Sequence, residues 1–236
     1  MNAEMNKPGW FLHLTEIFRA IYEYFQGYFF IRKTIKSEEG AGETVLVIPG
    51  LLSTDIYTVP LRNFLNKIGY KTVGWEMGRN LGRLEYLPKL QEKVKELYLQ
   101  NNQKVIVIGW SMGGILAREL AKLSPEFIKM VITTGSPFAD VQAPNHAKWV
   151  YDLLNKNQEI DPHFENQIPV PPSMPTLALY SKLDGMVPWQ ACMDLNPDEL
   201  HQNQEVSSSH FGMGGNREVM TAIRKFIEKK ELIEQV

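Results

Sequence analysis

The stretch VIGWSMGGILARELAKL, residues 107–123, reads as a buried strand, a sharp turn and a helix, with a serine at the apex. Val105, Ile106, Val107 and Ile108 form a β-branched run of the kind that fills a strand covered on both faces. Ile115, Leu116, Leu120 and Leu123 then recur at helical spacing, and Ala117 and Ala121 give a slim face able to pack closely on a sheet. Between strand and helix, Gly109, Ser111 and Gly113 spell Gly-x-Ser-x-Gly. A serine on so tight a turn needs neighbours almost without side chains two residues before and after it. The turn lifts the Ser111 hydroxyl above the sheet edge and aims a helix N-terminus at whatever it attacks.

A serine hydroxyl is a poor nucleophile near neutral pH, so the motif calls for a base and a group that orients it. Both follow in chain order, each on a loop after a later strand. Residues 176–180 read as a strand, and Asp184 lies just past it in a tight turn released by Gly185 and stopped by Pro188. Residues 205–207 read as a short extended piece, and His210 sits in the loop between it and a final helix that begins near Asn216. His13 falls in an N-terminal helix, His146 and His163 in a cap segment, and His201 before the last strand, which leaves His210 as the base. Asp140, after the strand ending near Thr134, is the alternative acid, and Asp184 is preferred.

The strings IPGLLS, GRNLG, GWSMGG, TGSPF, YSKLDGMVPW and SSHFGMG occur in that order from Ile48 to Gly214. With them the chain resembles the α/β-hydrolases, specifically the small bacterial lipases and esterases, from about Glu43 to the final helix. The resemblance implies Ser111 as nucleophile, Asp184 as orienting acid and His210 as general base. It also implies an oxyanion hole made by the backbone N–H groups of Leu51 and Met112. Many relatives have His-Gly before the first of these positions. Pro49-Gly50 stands there in this sequence and leaves the Leu51 amide intact.

Length and composition set the frame. A chain of 236 residues, 44% hydrophobic and 22% charged, suits one globular domain spanning 1–236. The net charge of −2, without a basic run, speaks against nucleic-acid binding. Cys192 is the single cysteine, which precludes an internal disulfide and fits a reducing, cytoplasmic compartment; its position suggests a buried helix start. Metal-ligand clusters and phosphate- or dinucleotide-binding loops are not evident, so neither a metal nor a cofactor is implied.

Alternating elements predict an α/β fold, a mostly parallel sheet with helices on both faces. Strands are expected near 44–48, 71–75, 104–108, 129–134, 176–180 and 204–207, with a further strand near 28–36 as the variable in that count.

Three segments exceed the bare scaffold. Residues 138–175, with six prolines between two strands, are expected to form a cap or lid. There Asn145 is expected to cap a helix whose Trp149, Val150, Leu153 and Leu154 share one face. Apolar cap residues would line an acyl-chain pocket together with Met112, Met186 and Trp189, and Trp110 is a further expected substrate contact. In the loop after the second strand, Arg79 or Asn80 is expected to brace the oxyanion loop or meet a polar head group.

Residues 1–35 contain an amphipathic helix with Trp10, Leu14, Ile17, Phe18, Ile21, Phe25 and Tyr28 on one side. His13, Glu16, Arg19, Glu23 and Gln26 occupy the other. Polar residues interrupt it too often for a membrane span. Docking on the hydrolase body is the preferred expectation, and peripheral contact with a membrane surface is the rival.

The expected chemistry is hydrolysis of a small-molecule ester or lipid through an acyl-enzyme. Thioesterase, phospholipase or deacylase action at a membrane surface is the alternative. A non-catalytic binder on the same scaffold is the reading from a different class.

Overall fold

Three of the strands are aliphatic runs that need cover on both sides, and they form the centre of the sheet. In the computed structural model, which describes residues 5–38, 40–156 and 162–234, these are β1 (Thr44–Ile48), β3 (Val105–Trp110) and β4 (Ile128–Thr134). With β2 (Lys71–Gly74), β5 (Thr176–Tyr180) and β6 (His201–Glu205) they make one six-stranded sheet in the order β2-β1-β3-β4-β5-β6. Every pairing is parallel, as the alternation of elements requires.

Side chains alternate across the sheet and build two cores. On one face Val45, Val47, Ile106, Ile108 and Ile132 meet α2 (Asp55–Lys67) and α7 (Arg217–Glu234). On the other, Leu46, Ile48, Val105, Val107 and Val131 meet α3 (Tyr86–Asn101) and α4 (Met112–Leu123). Helix α1 (Trp10–Lys33) lies outside α2 and α7 as an extra layer. Among the described residues no helix is long and apolar enough to cross a membrane.

Two expectations need correction. The segment near 28–36 is not a strand, because α1 runs on to Lys33 and Phe30 and Ile31 pack toward the α2 core. The last strand lies at 201–205 and not 204–207, so His201 is its first residue. Its sequence, His-Gln-Asn-Gln-Glu, carries no apolar signal because it is an edge strand paired only with β5.

The chain reverses its direction of travel across the sheet between β1 and β3. The loops that leave the carboxyl ends of these two adjacent strands therefore straddle a crevice, the place where open α/β sheets receive ligands. Residues 138–156 and 162–175 fold over that end with α5 (Lys148–Leu154) and α6 (Pro162–Gln167). Hydrogen bonds from Ala139 N to Ala191 O (2.9 Å) and His146 N to Met186 O (2.8 Å) tie this segment down.

Candidate active site

Ser111 stands between β3 and α4 with φ 53° and ψ −125°, a backbone conformation that costs a non-glycine residue about 1–3 kcal/mol. The buried strand and helix on either side impose it, and Ser111 N donates to Thr134 O of the neighbouring strand (2.9 Å). The turn is tight enough that a Cβ on Gly113 would run into the carbonyl oxygens of Ile48 and Pro49.

Ser111, Asp184 and His210 are brought together. His210 Nε2 lies 3.0 Å from Ser111 Oγ, and its Nδ1 lies 2.6 Å from Asp184 Oδ2. The other carboxylate oxygen, Oδ1, accepts from Met186 N (2.8 Å) and Val187 N (2.9 Å), so the Asp-Gly turn itself fixes the acid. Burial of the His210 imidazole pushes its pKa down. The charge and hydrogen bond of Asp184, with the Glu16 charge beyond, outweigh burial and leave it raised.

The competing residues are engaged elsewhere. Asp140 Oδ1 accepts from Gln142 N in its own turn (2.9 Å). His13 and His146 stack on each other with ring centres 3.8 Å apart, and His201 sits near Asp198 and Pro172 O. The His163 side chain lies outside the described residues.

The first loop reaches the serine by close approach. A Cβ on Gly50 would come 2.7 Å from the Trp110 ring and 3.1 Å from Ser111 Cβ, so only glycine lets the 49–53 loop lie against the elbow. The N–H of Met112 opens α4 and has no intrahelical carbonyl to meet. Among the described residues, neither it nor the Leu51 N–H has a protein acceptor. Asn80 is fully buried and braces this loop: its Nδ2 donates to Pro49 O (2.7 Å), its backbone N to Ser53 O (2.9 Å), and its carbonyl accepts from Leu52 N (2.6 Å). Arg79, by contrast, is exposed and is not among the residues that wall the cavity beside Ser111.

A cavity of about 90 Å³ adjoins Ser111, walled by Leu51, Met112, Ile115, Leu116 and Val187 and by Val141, Tyr151, Phe164 and Ile168 of the cap. Several expected contacts are absent from its wall. Trp189 stacks on Tyr180 with ring centres 5.6 Å apart, and Met186 contributes backbone groups to the Asp184 and His146 turns. Helix α5 points its expected apolar face away, leaving Trp149 67% exposed, while Tyr151 faces the cavity. Asn145 does not cap α5; it closes a turn just before it, its Oδ1 accepting from Ala147 N (2.9 Å).

Trp110 lies beneath the site. Its Nε1 donates to His210 O (3.1 Å), and its indole stacks on the Tyr57 ring at 4.0 Å. The Tyr57 hydroxyl in turn donates to Phe211 O. Burial pushes the Tyr57 phenol well above its usual range, which keeps that donor protonated. Cys192 is fully buried, at the end and not the start of a short 3-10 helix (Trp189–Cys192), and burial raises its thiol pKa.

Helix α1 supplies groups that sequence reasoning missed. Glu16, 1% exposed, accepts from Gly185 N (2.6 Å) and His210 N (3.1 Å) through Oε1, and from Phe211 N (3.2 Å) through Oε2. Arg19 completes the cluster, 3.0 Å from Glu16 and donating to Leu183 O (2.6 Å). Glu23 accepts from Ser209 N (2.8 Å), Ser208 Oγ (2.5 Å) and Asn216 Nδ2 (2.8 Å). One helix thus holds the loop bearing His210 and the loop bearing Asp184. The sequence does carry a signal: Glu16, Ala20, Glu23 and Gly27 follow a helical stripe in which acids and small residues alternate, and all four are buried.

Comparison with known proteins agrees with this architecture. The mature lipase BlEst2 of Bacillus licheniformis is 15% identical, with a TM-score of 0.58 over 82% of this chain and 95% of that one. The naproxen esterase of Bacillus subtilis is 14% identical, with a TM-score of 0.57 over 88% of this chain and 98% of that one. A monoacylglycerol lipase from Paleococcus ferrophilus is 13% identical, with a TM-score of 0.56 over 83% and 95%. At such identity the likeness is one of fold. No curated protein sequence matches the chain. Residues 69–194, more than half of the chain, match the PGAP1-like alpha/beta domain, and the chain, which has the α/β-hydrolase fold, therefore belongs to that family.

Proposed function

We propose that this protein is a serine hydrolase that cleaves carboxylic esters, taking a small ester or lipid with an apolar acyl group. The observation that carries the reading is the hydrogen-bonded series Asp184–His210–Ser111, at 2.6 and 3.0 Å, beside two backbone N–H groups that face no acceptor among the described residues.

In this mechanism neutral His210 accepts the Ser111 proton at Nε2 as Oγ forms a bond to the ester carbonyl carbon. The carbonyl electrons move onto oxygen, and the amides of Leu51 and Met112 receive that charge; such a donor is worth about 2.7–4 kcal/mol. Asp184 keeps the Nδ1 proton in place and stabilises the imidazolium. His210 then protonates the leaving alkoxy oxygen, the carbon–oxygen bond breaks, and an acyl-Ser111 remains. Water, deprotonated by the same imidazole, attacks that ester and releases the acid and the free serine.

The aliphatic wall of the cavity supports an apolar acyl group. One water needs about 10–15 Å³ of such space, so the cavity suits a chain of roughly six to nine heavy atoms. A fluorophosphonate probe tests the assignment. The protein should be labelled at Ser111, and Ser111→Ala should abolish both labelling and turnover of a p-nitrophenyl ester. A folded, unlabelled wild-type protein would leave only a scaffold that binds.

A further inference from the structure

The polarity of α1 is reversed with respect to the body it rests on. Its buried stripe carries Glu16 and Glu23, while Phe11, Leu14, Phe18, Ile21 and Phe25 point outward, Phe18 with 75% exposure. A surface helix of a globular protein ordinarily turns such a face inward. Here the inward face is fixed by loop amides that need acceptors, so the apolar face is left without cover. It is continuous with an apolar groove where Ile17 and Tyr24 of α1 meet Tyr57 and Phe211.

Charge identifies the occupant. Glu16 and Glu23 are the only acidic residues between positions 5 and 36, and both are buried against the catalytic loops. The exposed charges flanking the apolar face are therefore mainly positive, Lys7 at one end and Arg32, Lys33 and Lys36 at the other, against one exposed acid among the described residues, Glu38, just beyond them. Lys7 lies over the Trp10 ring (5.9 Å), and Arg32 reaches the Tyr28 hydroxyl (3.1 Å) one turn along the same face.

We propose that the outward face of α1 docks on an anionic lipid surface, with its aromatic and aliphatic side chains in the headgroup–acyl boundary and its terminal cations on lipid phosphates. An aromatic-rich apolar face flanked by cations is the composition such surfaces bind. A second copy of the chain fits less well, because pairing two α1 faces brings together end charges that are mainly of one sign, four cations to the exposed acid Glu38 among the described residues of each copy. The proposal stands on α1 alone and does not depend on the catalytic reading.

The test is co-sedimentation of the full chain with vesicles of phosphatidylcholine alone and of phosphatidylcholine mixed equally with phosphatidylserine. The wild type should sediment with the mixed vesicles, and bind them several-fold more weakly in high salt. A variant carrying Phe11→Ser, Phe18→Ser and Phe25→Ser should bind at least about tenfold more weakly. These side chains are exposed, so an unchanged melting temperature shows that the variant is folded. Absence of wild-type binding, equal binding to neutral vesicles, or equal binding by the folded variant would each overturn the proposal. So would a dimer, seen by sedimentation equilibrium, that the same three substitutions dissolve.

Discussion

Replacing Glu16 by glutamine separates the charge of the α1 clamp from its shape. The carboxylate takes three donors on Oε1, from Gly185, His210 and Arg19, and one on Oε2, from Phe211. A glutamine can keep its carbonyl oxygen on the first three, but its amino group then faces the Phe211 N–H, donor against donor. The stranded donor costs about 1–3 kcal/mol, and the surviving bonds fall from charge-assisted to ordinary strength, up to about 1 kcal/mol each, offset in part by relief of a buried charge. We expect a net loss of about 3 kcal/mol, or a melting temperature lower by roughly 6–12 °C for a chain of this size.

A second readout separates positioning of His210 from general bracing. Asp184 and Glu16 hold the imidazole pKa above its ordinary value against the opposing effect of burial. His210 must be neutral to accept a proton, so activity falls as pH drops through that raised pKa. The acid limb of kcat/KM for a p-nitrophenyl ester therefore lies at higher pH than a free histidine would give. Loss of the Glu16 charge should move the limb to lower pH while lowering kcat. A melting temperature within about 1 °C of wild type, or an acid limb that stays in place despite destabilisation, would refute the reasoning.

Three further outcomes follow from the geometry. Gly113→Ala should reduce kcat by orders of magnitude, because the added methyl meets the Ile48 and Pro49 carbonyls and displaces the elbow; the intensity of fluorophosphonate labelling checks it. Asp194→Ala should cost about 3–5 kcal/mol in chemical denaturation, since it strands the fully buried Arg118 guanidinium that Asp194 binds at 2.7 and 3.2 Å. In a p-nitrophenyl ester series, turnover should peak near acyl chains of about six to nine carbons and drop for longer ones, and Tyr151→Ala in the cavity wall should move the peak to longer chains.

The sheet was legible wherever burial on both faces forced aliphatic runs, as in β1, β3 and β4. It was misplaced at β6, where an edge position permits five polar residues and the chain leaves no apolar imprint. Ser111, Asp184 and His210 were legible because each follows a strand end within a short loop, so local spacing carries their placement. The pocket was not. Its wall comes from a cap that folds back through turns, and periodicity could pair Trp149 with Leu153 but not show which side of α5 meets the protein. The same limit applies to α1. Helical spacing separated its two faces, yet the choice of the inward one rested on distant amides at 185 and 209–211 that had no local partners.

That inversion sets two practical aims against each other. Trimming the sequence up to Lys33 would strip off the sticky aromatic ridge and give a preparation that clusters less in aqueous buffer. The same cut would remove both glutamates that keep the 208–211 loop and the 183–187 bend in register, so the better-behaved fragment would be the idle one. Altering the ridge residue by residue, with the acidic stripe left whole, is the route that separates the two.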